Sequence, residues 1–220
     1  MALDSTTSPS PVLEKLGLLS HEHLSRAAIL LFGVHPQQFI DQSEIRCARF
    51  KGTQPLHFLD MQVIDGASID HVPAALEFIQ RHMRLTAETS PAHIERQERW
   101  EYPLDALREA LVNAVCHRDY RASGNVQVRI FDDRLEIWSP GLLPEGVTTA
   151  DLSQIHNSYP RNQRLARVFF LLRYIGQWGT GTLRMRGCVK RRAYPSLHLL
   201  RRAMPSLSAA EGCVRVARFA

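Results

Sequence analysis

The sequence predicts an α+β fold, and three observations carry that expectation. Apolar residues recur at helical spacing in several stretches, while two runs on either side of Asp132 and Asp133 alternate apolar with polar residues, as an antiparallel hairpin does. These helical and strand-like segments are interleaved along the chain. Helices on one face of a sheet satisfy all three observations.

The elements follow in chain order. MALDSTTSPSP is rich in Ser, Thr and Pro and is expected to form a mobile tail over residues 1–11. VLEKLGLLSHEHLSRAAILLFG reads as a short helix, a turn at Leu19 and Ser20, and a second helix ended by Gly33. EIRCARFKG, with Ile45, Cys47 and Phe50 set among Arg and Lys, reads as a strand. DHVPAALEFIQRHMRL carries Ala75, Leu76, Ile79 and Met83 at helical spacing and admits Pro73 in its first turn. HIERQERWEY reads as a strand that precedes a helix over EALVNAVCH.

NVQVRIF and RLEIWS form the hairpin, with Val126, Val128 and Ile130 turned to the core. RNQRLARVFFLLRYI is helical by length and periodicity, and WGTGTLRMRGCVKR sets two glycines at the opening of another helix. CVRVARF supplies a last strand. Residues 191–212 receive no assignment.

Composition narrows the function. With 220 residues, 45% hydrophobic and 22% charged, the chain is long enough for one substantial core or two small ones. The longest apolar runs, AAILLFGV and VFFLL, fall far short of the roughly 20 residues that span a bilayer, and no cleavable leader opens the sequence. A cytoplasmic location with no membrane partner is expected. Cys47, Cys116, Cys188 and Cys213 are dispersed without a CxxC pair, which points to reduced buried thiols rather than a zinc site or disulfides.

Charge is unevenly spread. From Tyr159 onward there are 13 Lys and Arg against the single acid Glu211, whereas residues 1–158 hold 14 basic and 21 acidic side chains. Such a basic third suits phosphates or nucleic acid, a solvated face, or a match to acidic surface elsewhere.

Three polar signals stand out against this background. Glu109, Asn113 and His117, spaced four apart, project from one stripe of an otherwise apolar helix. A carboxylate can orient a water, and an amide oxygen is a hard ligand suited to Mg2+, although such a stripe alone is as readily a wetted helix face. SPGLLPEG, residues 139–146, makes a stiff turn after a strand, where Gly141 lets backbone approach a ligand. GQWGTGTLRM, residues 176–185, puts Gly179 and Gly181 at a helix N-terminus, where unencumbered N–H donors favour an anion. HNSYPRNQRLAR lies between the last two and can serve as a ligand-facing loop.

Taken in order, REALVNAVCHRDY, IFDDRLEIWSPGLLP and RNQRLARVFFLLRYIGQWGTG closely resemble the C-terminal part of bacterial AlbA/Schlafen-type, "RecG-like" transcriptional regulators. In those proteins a divergent GHKL-type ATP-binding domain follows a DNA-binding module. LEKLGLLSHEHLSRAAILLFGVHPQQF, with IRCARFKG, is similar to their connecting region, so the resemblance spans about residues 12–188. It implies a GHKL-like (Bergerat-type) α/β sandwich over residues 91–220 behind a helical and stranded connector over residues 12–90. The DNA-binding module itself is expected to be absent from the chain.

Carried over position by position, the resemblance implies that Asn113 ligates Mg2+ beside a triphosphate. It implies that Glu109 positions the attacking water if hydrolysis occurs, which makes Glu109 the candidate catalytic residue. Ser139, Pro140 and Gly141 would lie near the adenine, and Gly179, Thr180 and Gly181 would cradle the phosphates. ATP and Mg2+ are the implied cofactors. Ser139 stands where hydrolytic relatives carry Asp and the regulators usually Asn, and Gly176 and Gln177 stand where Glu and Arg commonly precede WGTG.

The implied output is an ATP-dependent shift of conformation or of a dimer interface in a transcriptional regulator. Arg118, Asp119 and Tyr120 read as a local brace, with His117 bonded to the same turn. The other reading is a non-enzymatic DNA-binding or assembly module with a vestigial nucleotide pocket, reaching DNA through the full-length regulator or the basic C-terminal third. Homodimerisation suits both.

Overall fold

The structure, a computed structural model, describes residues 8–90, 93–141, 160–174, 197–203 and 210–217. The first helix, α1 (Pro9–Lys15), leads through Gly17 into a two-residue hairpin of β1 (Leu19–Ser20) and β2 (His23–Leu24). The turn expected at Leu19 and Ser20 falls at His21 and Glu22 instead. Their φ angles of 48° and 64° are both left-handed, the twist that a two-residue hairpin turn requires. Helix α2 (Arg26–Phe32) begins where Ser25 Oγ accepts the Ala28 N–H at 3.2 Å, buries Ala28, Leu30 and Leu31, and ends at Gly33 as expected.

Strand β3 (Ile45–Phe50) is the one read from IRCARF. It pairs antiparallel with β4 (Phe58–Ile64), a strand the sequence reading does not contain. Leu59, Met61 and Val63 of β4 are all more than half exposed, while Ile64 at its end joins the core. Helix α3 (Ser68–His82) starts two residues before the expected Asp70. Pro73 therefore lies inside the helix rather than in its first turn. A separate antiparallel pair, β5 (Leu85–Ser90) and β6 (His93–Trp100), then leads to α4 (Leu104–His117), β7 (Val126–Ile130), β8 (Arg134–Pro140) and α5 (Gln163–Leu171). The chain closes with β9 (Leu197–Ala203), within the unassigned stretch, and β10 (Ala210–Ala217), which contains much of the last strand expected.

Six of these strands form one sheet in the order β4-β3-β7-β8-β10-β9. All neighbours are antiparallel except β3 and β7, which run parallel with Ile45 opposite Val126. Beside the expected antiparallel hairpin of β7 and β8 the sheet holds one parallel pair: a crossover containing α3 and α4 returns β7 beside β3 in the same direction, as parallel neighbours require.

Strand alternation assigns the faces. Ile45, Cys47, Val126, Val128, Ile130, Leu135 and Ile137 are each no more than 2% exposed and share one core with Phe78 of α3, Leu107 and Leu111 of α4, and Phe169 of α5. Burying each such large side chain contributes about 1.5–3 kcal/mol. On the other face, Glu136 accepts from Arg134 Nε at 2.6 Å and from Trp138 Nε1 at 3.0 Å, and the Arg129 guanidinium lies 5.1 Å from the Trp138 ring centre. DDRLEIWSPG thus reads as a two-faced strand: Leu135 and Ile137 enter the core while Arg134, Glu136 and Trp138 brace the reverse side. Mixed helix and sheet in this layered arrangement is the α+β class expected. Among the described residues, no helix is long and apolar enough to cross a membrane.

Candidate functional site

Helix α4 is amphipathic in the way its sequence dictates. Ala106, Leu107, Ala110, Leu111, Val112, Ala114, Val115 and Cys116 are buried, while Glu109, Asn113 and His117 are half-buried along the remaining stripe. Asn113 Nδ2 donates to Glu109 Oε1 at 3.4 Å, across one helical turn. That bond engages the amide nitrogen and not Asn113 Oδ1.

The end of β8 meets the same helix. Ser139 Oγ donates to the Ala114 carbonyl at 2.7 Å, and the Pro140 carbonyl accepts the Asp119 N–H at 2.7 Å. Gly141 follows at φ 132°, and a Cβ built there would stand 3.3 Å from Asp119 N and 3.4 Å from the His117 carbonyl. Glycine is therefore favoured by backbone conformation, and a side chain there would also be tightly packed. The turn at Ser139, Pro140 and Gly141 thus packs against the C-terminal end of α4, the helix whose half-buried stripe carries Glu109 and Asn113. Gly179, Thr180 and Gly181 lie outside the described residues.

The turn after α4 is held by a buried guanidinium. Arg118 is 1% exposed and donates to the carbonyls of Asp119 at 3.2 Å, Ala122 at 3.3 Å and Gly124. Its guanidinium lies 4.6 Å from the Tyr120 ring centre, and Tyr120 OH donates back to the Val115 carbonyl at 3.2 Å. Asp119 accepts from the Arg121 N–H at 3.0 Å and from Arg161 at 3.4 Å; the bonds from Arg121 hold its carboxyl below the usual carboxylate range. Arg118, Asp119 and Tyr120 form the brace that the HRDY segment suggests.

Sequence reasoning missed Asn162. Its Nδ2 donates to the carbonyls of Cys116 at 2.9 Å and Arg118 at 2.8 Å, closing the C-terminal end of α4 from the neighbouring helix. The only signal was an amide in the polar run RNQR.

Cysteine chemistry plays no part in this arrangement. Burial pushes the Cys47 thiol up to about 12 and raises that of Cys116 further, so both stay protonated at neutral pH. Among the described residues no cluster of three or more His, Cys, Asp or Glu could cage a metal. The donors present fit magnesium in another way. One amide oxygen beside one carboxylate on a half-buried stripe suits an ion that keeps several waters and takes its remaining ligands from phosphates.

Comparison with known proteins bears on part of the chain and on its fold. Residues 123–204 match the ATPase-domain family model described as "Putative ATP-dependent DNA helicase recG C-terminal", which supports a RecG-like ATPase domain over that stretch. No curated protein matches the sequence. Among solved structures, the crystal structure of the DIP2311 protein from Corynebacterium diphtheriae is similar, with a TM-score of 0.78 and 23% identity over 97% of this chain. The match spans 42% of that longer protein, and at this identity the likeness is one of fold.

Proposed function

We propose that the chain is an ATP-binding regulatory module of a transcriptional regulator, in which nucleotide with Mg2+ shifts a conformation or a dimer interface. The observation that carries this reading is that Ser139 and Gly141 pack on the C-terminal end of α4, the same helix that bears the Glu109–Asn113 pair. The family match over residues 123–204 supports it. The connector over residues 12–90 and the GHKL-like sandwich over 91–220 are the corresponding functional division.

Each residue then has a physical task. Asn113 Oδ1 would take one Mg2+ position, with the triphosphate and waters completing the shell. Glu109 is held to the amide by its hydrogen bond and would orient a water where hydrolysis takes place. Ser139 gives its hydrogen to Ala114, so its remaining lone pairs accept, which is the polarity an exocyclic adenine amine needs. Gly141 keeps backbone open beside that hydroxyl, and Gly179, Thr180 and Gly181 would supply N–H donors to the phosphates. Binding energy rather than turnover is the output, since a ligand shifts an equilibrium only through its differential affinity for two states.

Asn113→Ala tests the assignment. In calorimetric titration, wild type takes up ATP in the presence of Mg2+, and the variant binds at least about tenfold more weakly, the scale of losing a charge-assisted contact. Absence of ATP binding in both proteins would remove the nucleotide reading. The second reading, a DNA-binding or assembly module with a vestigial pocket, is favoured by one observation: Ser139 is already bonded inside the protein. It predicts DNA binding that falls steeply with salt and ignores ATP.

A further inference from the structure

A cleft of about 510 Å3 opens between α2, the turn at residues 119–121 and the start of α5. Glu109, Asn113, Ser139 and Gly141 do not line it. Four of its walls' side chains are arginines, Arg26, Arg121, Arg161 and Arg164, and Asp119 is the single acid among them. Asp119 is shared between Arg121 at 3.2 Å and Arg161 at 3.4 Å. Arg26 and Arg164 have no ion-pair or hydrogen-bond partner among the described residues. One carboxylate thus faces four guanidinium groups across a concave surface, where low-dielectric walls strengthen the field they make.

We propose that this cleft is a binding site for a small phosphorylated molecule. Its volume lies within the range of small-ligand sites, roughly 300–1,000 Å3. A duplex would instead track a surface, and the concavity favours a compact anion. All four cations are arginines, whose planar forks pair with phosphate oxygens two at a time, whereas lysine acts as a point charge. Buried Leu30 and Ile40 add apolar wall for the part of the ligand that carries the phosphate. The proposal stands whether or not Asn113 serves a nucleotide.

The site has a physical link to the other end of the turn. Asp119 holds the Pro140 carbonyl through its N–H at 2.7 Å and lies against Gly141. A phosphate that draws Arg121 and Arg161 away from Asp119 therefore acts on the residue that fixes the end of β8.

Calorimetry of the full chain with pyrophosphate and with inorganic phosphate, at physiological salt with a chelator in place of Mg2+, tests the proposal. Wild type is expected to bind pyrophosphate saturably and inorganic phosphate more weakly. The double variant Arg26→Glu, Arg164→Glu loses at least about tenfold in affinity, as removal of two charge-assisted contacts requires, while Asn113→Ala binds like wild type. The single variants Arg26→Gln and Arg164→Gln each weaken binding severalfold and serve if the double variant does not fold. No saturable pyrophosphate binding by wild type, undiminished affinity in folded arginine variants, or loss of binding in Asn113→Ala would each overturn it.

Discussion

Gly141 concentrates the local physics of the site in one residue. Its φ of 132° is a conformation that side chains rarely adopt, and a Cβ would press on Asp119 N at 3.3 Å. Gly141→Ala is expected to cost about 1–3 kcal/mol, measured by chemical denaturation; a variant as stable as wild type contradicts the strain argument. A second residue, His71, carries a pH signature. It is 3% exposed, its Nε2 lies 3.1 Å from the Gly66 carbonyl, and burial holds its ring below the ordinary value despite opposing contributions from Gly66, Asp65 and Asp70. The unfolded chain then binds this proton more readily than the folded one. The stability involved is fully present above about pH 6.5 and is lost as pH falls through the depressed folded-state value. Wild type should therefore lose more stability than His71→Gln between pH 7.5 and pH 5, and parallel curves for the two would contradict it. That Glu109 and Asn113 share one half-buried stripe was legible because polar residues interrupt an apolar helix at fixed spacing, whereas Ser139 entered only through the family resemblance. That Arg118 is almost fully buried was not legible, since a guanidinium whose two terminal nitrogens donate to three loop carbonyls leaves no periodic trace.

Among the elements, the link between α4 and α5 decides how firmly the candidate site is held. Asn162 donates to two carbonyls at the end of α4 that would otherwise lack helical partners. Asn162→Ala should destabilise the protein by about 1–3 kcal/mol in denaturant titration; a change below about 0.5 kcal/mol would show that water replaces the amide. The hairpin of β7 and β8 was readable from alternation around Asp132 and Asp133, and α4 and α5 from their apolar stripes. Strand β4 was missed although Leu59, Met61 and Val63 alternate with Asp60 and Gln62, the same pattern that marks the hairpin; here the apolar set of that pattern faces outward. Helix α3 starts two residues before the expected Asp70, so Pro73, read as a first-turn residue, stands at its sixth position, where it gives no N–H to the helix.

For the molecule as a whole, local pattern predicts elements more readily than their neighbours. Nothing in IRCARF indicates that it runs parallel to VQVRI rather than antiparallel, since that choice is made by a long crossover and by shared burial of Ile45, Cys47, Val126 and Val128. The arginines of the cleft come from three separate stretches, and only the fold assembles them. The proposed nucleotide site likewise depends on convergence: the stretches around Asn113, Ser139–Gly141 and Gly179–Gly181 would close on one Mg2+-bound triphosphate. Hydrogen–deuterium exchange with and without Mg2+ and ATP measures this most directly. The account predicts slowed exchange in peptides covering residues 109–117, 139–141 and 176–183 together, and its loss in Asn113→Ala. Protection confined to one of these stretches, or none at saturating nucleotide, contradicts it.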